Sequence, residues 1–159
     1  PGRMEVVPGA YGTPKVVVDY AHTPDALEKV LTGLAAQCRG RLICVVGCGG
    51  NRDRGKRPEM AQVASNLSDH LWLTSDNPRD EAPADILHDM LSGLSMEQRQ
   101  HASAVEDRGA AIAPAVRTAS VDDLVVIAGK GHEDTQEIAG VKYPFSDVAY
   151  VENMFKENA

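Results

Sequence analysis

Positive charge is scarce in this chain: 16 Lys and Arg stand against 23 Asp and Glu, a formal net charge of -7. A protein that neutralises a phosphate backbone or an anionic bilayer needs the opposite balance, so neither nucleic acid nor a membrane is expected as a partner. Long apolar runs are missing too. No stretch approaches the roughly 18 residues of a membrane span, and no charged-then-apolar leader stands at the start, so a cytoplasmic location is expected. Cysteine is sparse and odd in number: Cys38, Cys44 and Cys48 show no two-residue spacing, which removes a disulfide framework and a zinc knuckle, and no metal site is expected. Internal repeats and low-complexity tracts are absent.

What is present is a 159-residue chain with 43% hydrophobic residues, enough for one core and one domain. Lys15 to Tyr20 is a β-branched strand pattern. Pro24 then suits a helical first turn, and Leu27, Val30, Leu31 and Leu34 recur at helical spacing. Leu42 to Val46 with a helix over Pro58 to Asn66, and Leu71 to Thr74 with a helix over Ala84 to Leu94, repeat the unit. A weaker strand at Ala102 to Val105 precedes a helix over Arg108 to Thr118, in which Pro114 predicts a kink or an early break. Leu124 to Ile127 is a run of consecutive aliphatics, as expected of a strand covered on both faces. Thr135 to Ile138 and Val141 to Tyr143 read as a C-terminal hairpin, and Asp147 to Lys156 as a closing helix. The alternation predicts an α/β fold with a doubly wound, mostly parallel, Rossmann-like sheet. The chain opens on Pro1 without an initiator methionine, which suggests a single domain over 1–159 cut from a longer protein, with 1–14 as its leading segment.

Polar loops follow the strands, where open parallel sheets bind ligands. Gly47 to Pro58 is glycine-rich and opens a helix, but Arg52 fills the third glycine of a dinucleotide fingerprint, and Arg57 stands where a phosphate loop needs Ser or Thr. Arg52, Arg54, Lys56 and Arg57 suit an anionic guest; solvated charges at a helix start are the plainer alternative. Asp76-Asn77-Pro78-Arg79 is by itself ordinary turn chemistry, with Asn77 biased to an extended conformation by Pro78. Gly129 to Glu133 offers Lys130, His132 and Glu133, with no Ser or Cys paired to the histidine for nucleophilic catalysis. Tyr20 to Asp25 reads equally as a helix start capped by Thr23 with Asp25 in the first turn. Arg79 and Glu133, on different loops, are expected to converge on one cradle for a small zwitterion.

Taken together, Tyr20-Ala21-His22-Thr23-Pro24-Asp25, Gly47-Cys48-Gly49-Gly50 into Arg52-Asp53, Asp76-Asn77-Pro78-Arg79 and Gly129-Lys130-Gly131-His132-Glu133 resemble the carboxy-terminal domain of the Mur ligases. The nearest branch adds meso-diaminopimelate to UDP-N-acetylmuramoyl-L-alanyl-D-glutamate in peptidoglycan synthesis, and Asp-Asn-Pro-Arg marks its use of diaminopimelate rather than lysine. The resemblance implies that Arg52, Asn77 and Arg79 meet the amino acid's carboxylates, that Asp76 and Pro78 shape that loop, and that Gly129 and Glu133 hold an ammonium group. With lysine bound, Arg79 would be a desolvated cation without its partner, a penalty on the order of several kcal/mol. More weakly, it implies nucleotide contacts from Arg3, Tyr20, His22 and Asp25.

The family reaction passes through an acyl phosphate and uses ATP and Mg2+, whose ligands lie in a central domain; the UDP-sugar dipeptide binds an amino-terminal one. Residues 1–14 would lead in from that central ATPase domain. This chain alone is therefore expected to be inactive, a monomeric carrier of the amine substrate that closes as a lid. No catalytic residue is assigned to it. Two other readings stay open: a non-catalytic amino-acid-binding module, and a related amide ligase for lysine or a dipeptide.

Overall fold

The computed structural model describes residues 1–157. In chain order its elements are β1 (Glu5–Val7), β2 (Lys15–Asp19), α1 (Pro24–Ala35), β3 (Leu42–Cys48), α2 (Lys56–Leu67), β4 (His70–Ser75) and α3 (Pro83–Leu91). They continue with α4 (Met96–Arg99), β5 (Ala102–Ala104), α5 (Arg108–Arg117), β6 (Leu124–Ala128), β7 (Thr135–Ile138), β8 (Val141–Pro144) and α6 (Asp147–Glu157). Six strands form one sheet in the order β1-β2-β6-β3-β4-β5, parallel except for β1, and β7 and β8 form a separate antiparallel hairpin.

The order has a physical consequence. From β3 to β5 the chain steps outward through α2 and α3; α5 then carries it back so that β6 slots between β2 and β3. Crossovers of one hand that reverse direction must lie on opposite faces. Accordingly α1, α2 and α3 bury Leu27, Leu31, Met60 and Met90 against Val17, Val46, Leu73 and Val126. On the other face α5 and α6 bury Ile112, Val116, Val151 and Phe155 against Val16, Val45, Val125 and Ile127. Alternate residues of β3 and β6 therefore serve opposite cores, which is why both read as unbroken aliphatic runs. No helix among the described residues is long and apolar enough to cross a membrane.

Local expectations change at three helices. The helix through Pro114 continues to Arg117 instead of breaking. Proline there leaves the carbonyl of Ala110 without its helical donor, but Ala110 is exposed, so that loss falls at the solvent-facing side of the helix. The helix expected to reach Leu94 stops at Leu91, and the one expected from Pro58 begins at Lys56. Residues 1–14, expected as a leading segment, supply edge strand β1, and the Met4 amide donates to Asp19 Oδ1 at 2.7 Å. A three-residue strand and the single turn of α4 carry too little periodicity to be read in advance.

Candidate substrate site

At the carboxyl ends of β2, β3, β4 and β6 the loops enclose a cleft of about 420 Å³. Its wall includes Tyr20 and His22, then Gly47 to Gly49, Arg52 and Lys56, then Asp76, Asn77 and Arg79, and finally Gly129 and Glu133. The cleft flanks β6, whose connection leaves toward the α6 face while those of β2 and β3 leave toward the opposite one, so strand order opens a crevice there. Arg79 and Glu133 share it, with Asn77 between them: the Asn77 amide nitrogen lies 3.4 Å from Glu133 Oε1, and Arg79 Nη1 lies 3.5 Å from the Asn77 carbonyl.

The loop after β4 is held by the hairpin. Arg79 donates its backbone N–H to the Glu137 carbonyl at 2.9 Å and accepts from the Ala139 N–H at 2.7 Å. Gln136 Nε2 reaches the Asp76 carbonyl at 2.8 Å, and the Glu137 N–H donates to Asn77 Oδ1 at 3.0 Å. These bonds keep Arg79 at φ +53, a left-handed conformation unusual for a residue with a side chain. Its guanidinium then donates to the Gly50 carbonyl at 3.0 Å, while Glu137 Oε1 lies 3.9 Å from its Nε. Pro78 is buried and outside the cleft wall, where it shapes the loop.

The glycine-rich loop is less cationic in space than in sequence. Only Arg52 and Lys56 of its four basic residues face the cleft. Arg57 is buried, paired with Glu81 at 2.6 Å and Asp89 at 3.0 Å, and bonded to the Gly49 carbonyl at 3.1 Å; Arg54 also pairs with Asp89, at 3.1 Å. A guanidinium so committed fills the place where a phosphate loop presents a hydroxyl to magnesium, so these residues do not fit an ATP–Mg2+ cradle of their own. Among the described residues no His, Cys, Asp and Glu cluster has the makings of a metal site.

Lys130, noted in the sequence only as a loop residue, is fully buried beneath the cleft, where Nζ donates to Asn77 Oδ1 at 3.0 Å, Glu133 Oε1 at 3.2 Å and the Thr135 carbonyl at 2.7 Å. Arg108 is the second feature that sequence reasoning missed. With Asp147 it forms an ion pair of zero exposure on both sides, and its Nη1 and Nη2 donate to the carbonyls of Ser75 and Ala128, the last residues of β4 and β6. A proline-bearing helix and a terminal helix give no sequence signal that two such residues will meet. Burial pushes the Asp76 carboxyl above its ordinary range, against the pull of Arg108 and Lys130. Burial likewise pushes the cleft thiol of Cys48 up to about 12, leaving it protonated and unsuited to nucleophilic attack.

The weaker candidates gather at one rim. The Arg3 guanidinium lies 5.6 Å from the centre of the Tyr20 ring, and the Tyr20 and His22 rings meet edge to face at 4.7 Å. Asp25 stands apart, exposed in the first turn of α1 and outside the cleft wall, with Thr23 capping that helix through the Ala26 N–H at 3.2 Å.

Residues 2–131 match the family model described as Mur ligase, glutamate ligase domain. A UDP-N-acetylmuramoyl-L-alanyl-D-glutamate--2,6-diaminopimelate ligase from Pseudomonas syringae pv. tomato is 56% identical over 147 residues, covering 92% of this chain and 30% of the relative. The ligase of the same name from Coxiella burnetii is 56% identical over 149 residues, 93% of this chain and 30% of the relative. A solved structure of a ligase of that name superposes with a TM-score of 0.92 at 46% identity, covering 99% of this chain and 32% of that one. A folylpolyglutamate synthase/dihydrofolate synthase from Yersinia pestis, crystallised with AMPPNP and manganese, shares the fold alone, with a TM-score of 0.63 at 23% identity over 81% of this chain and 28% of that one. The chain thus spans about 30% of the length of the curated relatives it matches. The cleft, the order of its four loops and the family match lead to one conclusion: this chain belongs to the Mur ligase family, as its glutamate ligase domain.

Proposed function

We infer that this domain binds meso-diaminopimelate and presents its amine to the acyl phosphate of UDP-N-acetylmuramoyl-L-alanyl-D-glutamate within an ATP-dependent ligase of peptidoglycan synthesis. The observation that carries the reading is the mixed charge of the cleft wall: Arg52, Lys56 and Arg79 line it together with Asp76 and Glu133. A diamine with two carboxylates complements both signs of charge, whereas lysine leaves one guanidinium unmatched. In this reading Arg52, Asn77 and Arg79 take the carboxylates, Gly129 and Glu133 take an ammonium group, and Asp76 and Pro78 set the loop. Arg3, Tyr20 and His22 reach the nucleotide on closure; exposed Asp25 would join only at the domain junction.

In this reading ATP and Mg2+ are bound mainly by the rest of the ligase, since the chain spans about 30% of the length of its relatives. The reading places the ligase in the cytoplasm as a monomer. Titration of the chain with meso-diaminopimelate and, separately, with L-lysine tests it. Backbone amide shifts from diaminopimelate should cluster at Arg52, Asn77, Arg79, Gly129 and Glu133, with about a hundredfold weaker response to lysine. Equal response to both amines, or shifts elsewhere, would overturn it.

A further inference from the structure

The buried side chain of Lys130 does more than fill space. Its three protons have three acceptors, and two of those, Asn77 Oδ1 and Glu133 Oε1, belong to residues of the cleft wall. Asn77 Oδ1 also accepts the Glu137 N–H at 3.0 Å. Two donors on one oxygen assign the amide: the flipped orientation would set an NH2 group against both an ammonium and a backbone N–H. The Asn77 Nδ2 group, with one long 3.4 Å contact to Glu133, is thereby left to offer hydrogen to whatever enters the cleft. Glu133 is treated in the complementary way. Oε1 is occupied by Lys130 and Asn77, while among the described residues Oε2 has no hydrogen-bond partner and is free to accept.

We propose that Lys130 is the specificity-positioning residue of this site: it orients Asn77 as a donor for a substrate carboxylate and leaves Glu133 one free oxygen for a substrate ammonium. This rests on the reading of the cleft as a diaminopimelate site and adds a cause for its selectivity, because a donor-only Asn77 rewards the carboxylate that lysine lacks. Removing the ammonium leaves the Glu137 N–H as the one donor fixing Asn77 Oδ1, so the amide is held less firmly with its nitrogen toward the cleft. Discrimination should fall even where the fold survives.

Two variants and two readouts test it. In Lys130→Met, the affinity for meso-diaminopimelate should fall about tenfold to a hundredfold while that for L-lysine changes little, so their ratio collapses. An unchanged ratio in a folded variant overturns the proposal. Asn77→Asp keeps an oxygen for Lys130 and Glu137 but presents an acceptor to the cleft. It should fold, because the buried ammonium pairs with the new carboxylate, and should lose diaminopimelate preferentially; wild-type binding by Asn77→Asp also overturns the proposal.

The second readout needs no ligand. The Asn77 side-chain amide of the wild-type chain should give one sharp pair of proton resonances, with a nuclear Overhauser contact to Glu133, and in Lys130→Met the pair should broaden or double. An identical amide in Lys130→Met refutes the orienting role whatever the substrate. A sharp wild-type amide that Lys130→Met broadens, in a chain that ignores diaminopimelate, would instead refute the substrate reading and leave the orienting role standing.

Discussion

At the scale of single residues, adjacent glycines in the β3 loop do different things. A Cβ on Gly50 would lie 1.8 Å from the Pro78 carbonyl oxygen, a backbone atom held by its own loop. A Cβ on Gly49 would lie 2.8 Å from Arg79 Nη1, the far end of a flexible side chain. Gly50→Ala should therefore cost stability, about 1–3 kcal/mol by chemical denaturation, since two loops must part. Gly49→Ala should cost little stability but push Arg79 from its place, weakening meso-diaminopimelate binding about tenfold in calorimetry. If the two variants exchange these phenotypes, Arg79 is not where selectivity arises. Arg79 and Glu133 were legible in the sequence as candidates because each follows an apolar strand. Lys130 was not, since a lysine between two glycines reads as solvated until its surroundings close over it.

At the scale of elements, helices of one face reach across to hold the strand ends that carry the site. Arg108 of α5 and Asp147 of α6 meet without solvent, and the Arg108 guanidinium donates to the last carbonyls of β4 and β6. Removing one partner of such a pair strands a buried charge, so Arg108→Met should destabilise the chain by about 3–5 kcal/mol in urea unfolding. A loss below 1 kcal/mol would show that the clamp is dispensable. Acid should loosen other links between elements. Hydrogen bonds from Arg57 to Glu81 and from Arg54 to Asp89 hold those two carboxyls below their ordinary range. Burial alone would raise Asp123, but the Ser120 and Arg41 backbone N–H groups and the Arg41 guanidinium bring it below as well. Carboxyls lowered by folding stabilise the native state above their unfolded values, near 4, and that stability fades as pH falls through the lower folded values. Melting temperature should drop on acidification below about pH 4, and Asp89→Asn should flatten the slope. The alternation of strand and helix was legible because period-two and helical patterns repeat over long segments; β1 and α4 were too short to carry either.

At the scale of the whole molecule, the proposed amine site lies beside a glycine-rich loop that does not fit a phosphate cradle. Arg57, in the position of a phosphate-loop hydroxyl, is spent on Glu81 and Asp89. Incubated with ATP, Mg2+, meso-diaminopimelate and the UDP-sugar dipeptide, the isolated chain should release no phosphate above background. Turnover at rates typical of an enzyme, on the order of 1 per second or more, would show that the activating site lies here after all. The cleft opens beside β6 because the chain returns to the middle of its own sheet, a fact of strand order that no local pattern encodes.

The sequence by itself determined the class of fold, the loops that line the cleft and the family, because those depend on periodicity and on short ordered motifs that are local to the chain. Strand order, the burial of Arg57, Lys130 and Arg108, and the hairpin's hold on the Arg79 loop were decided only in three dimensions. The physical reason is that a charge's meaning depends on what excludes water from it. Lys130 and Asn77 are 53 positions apart, and Arg108 and Asp147 are 39 apart, so their partners exist only once the sheet has closed.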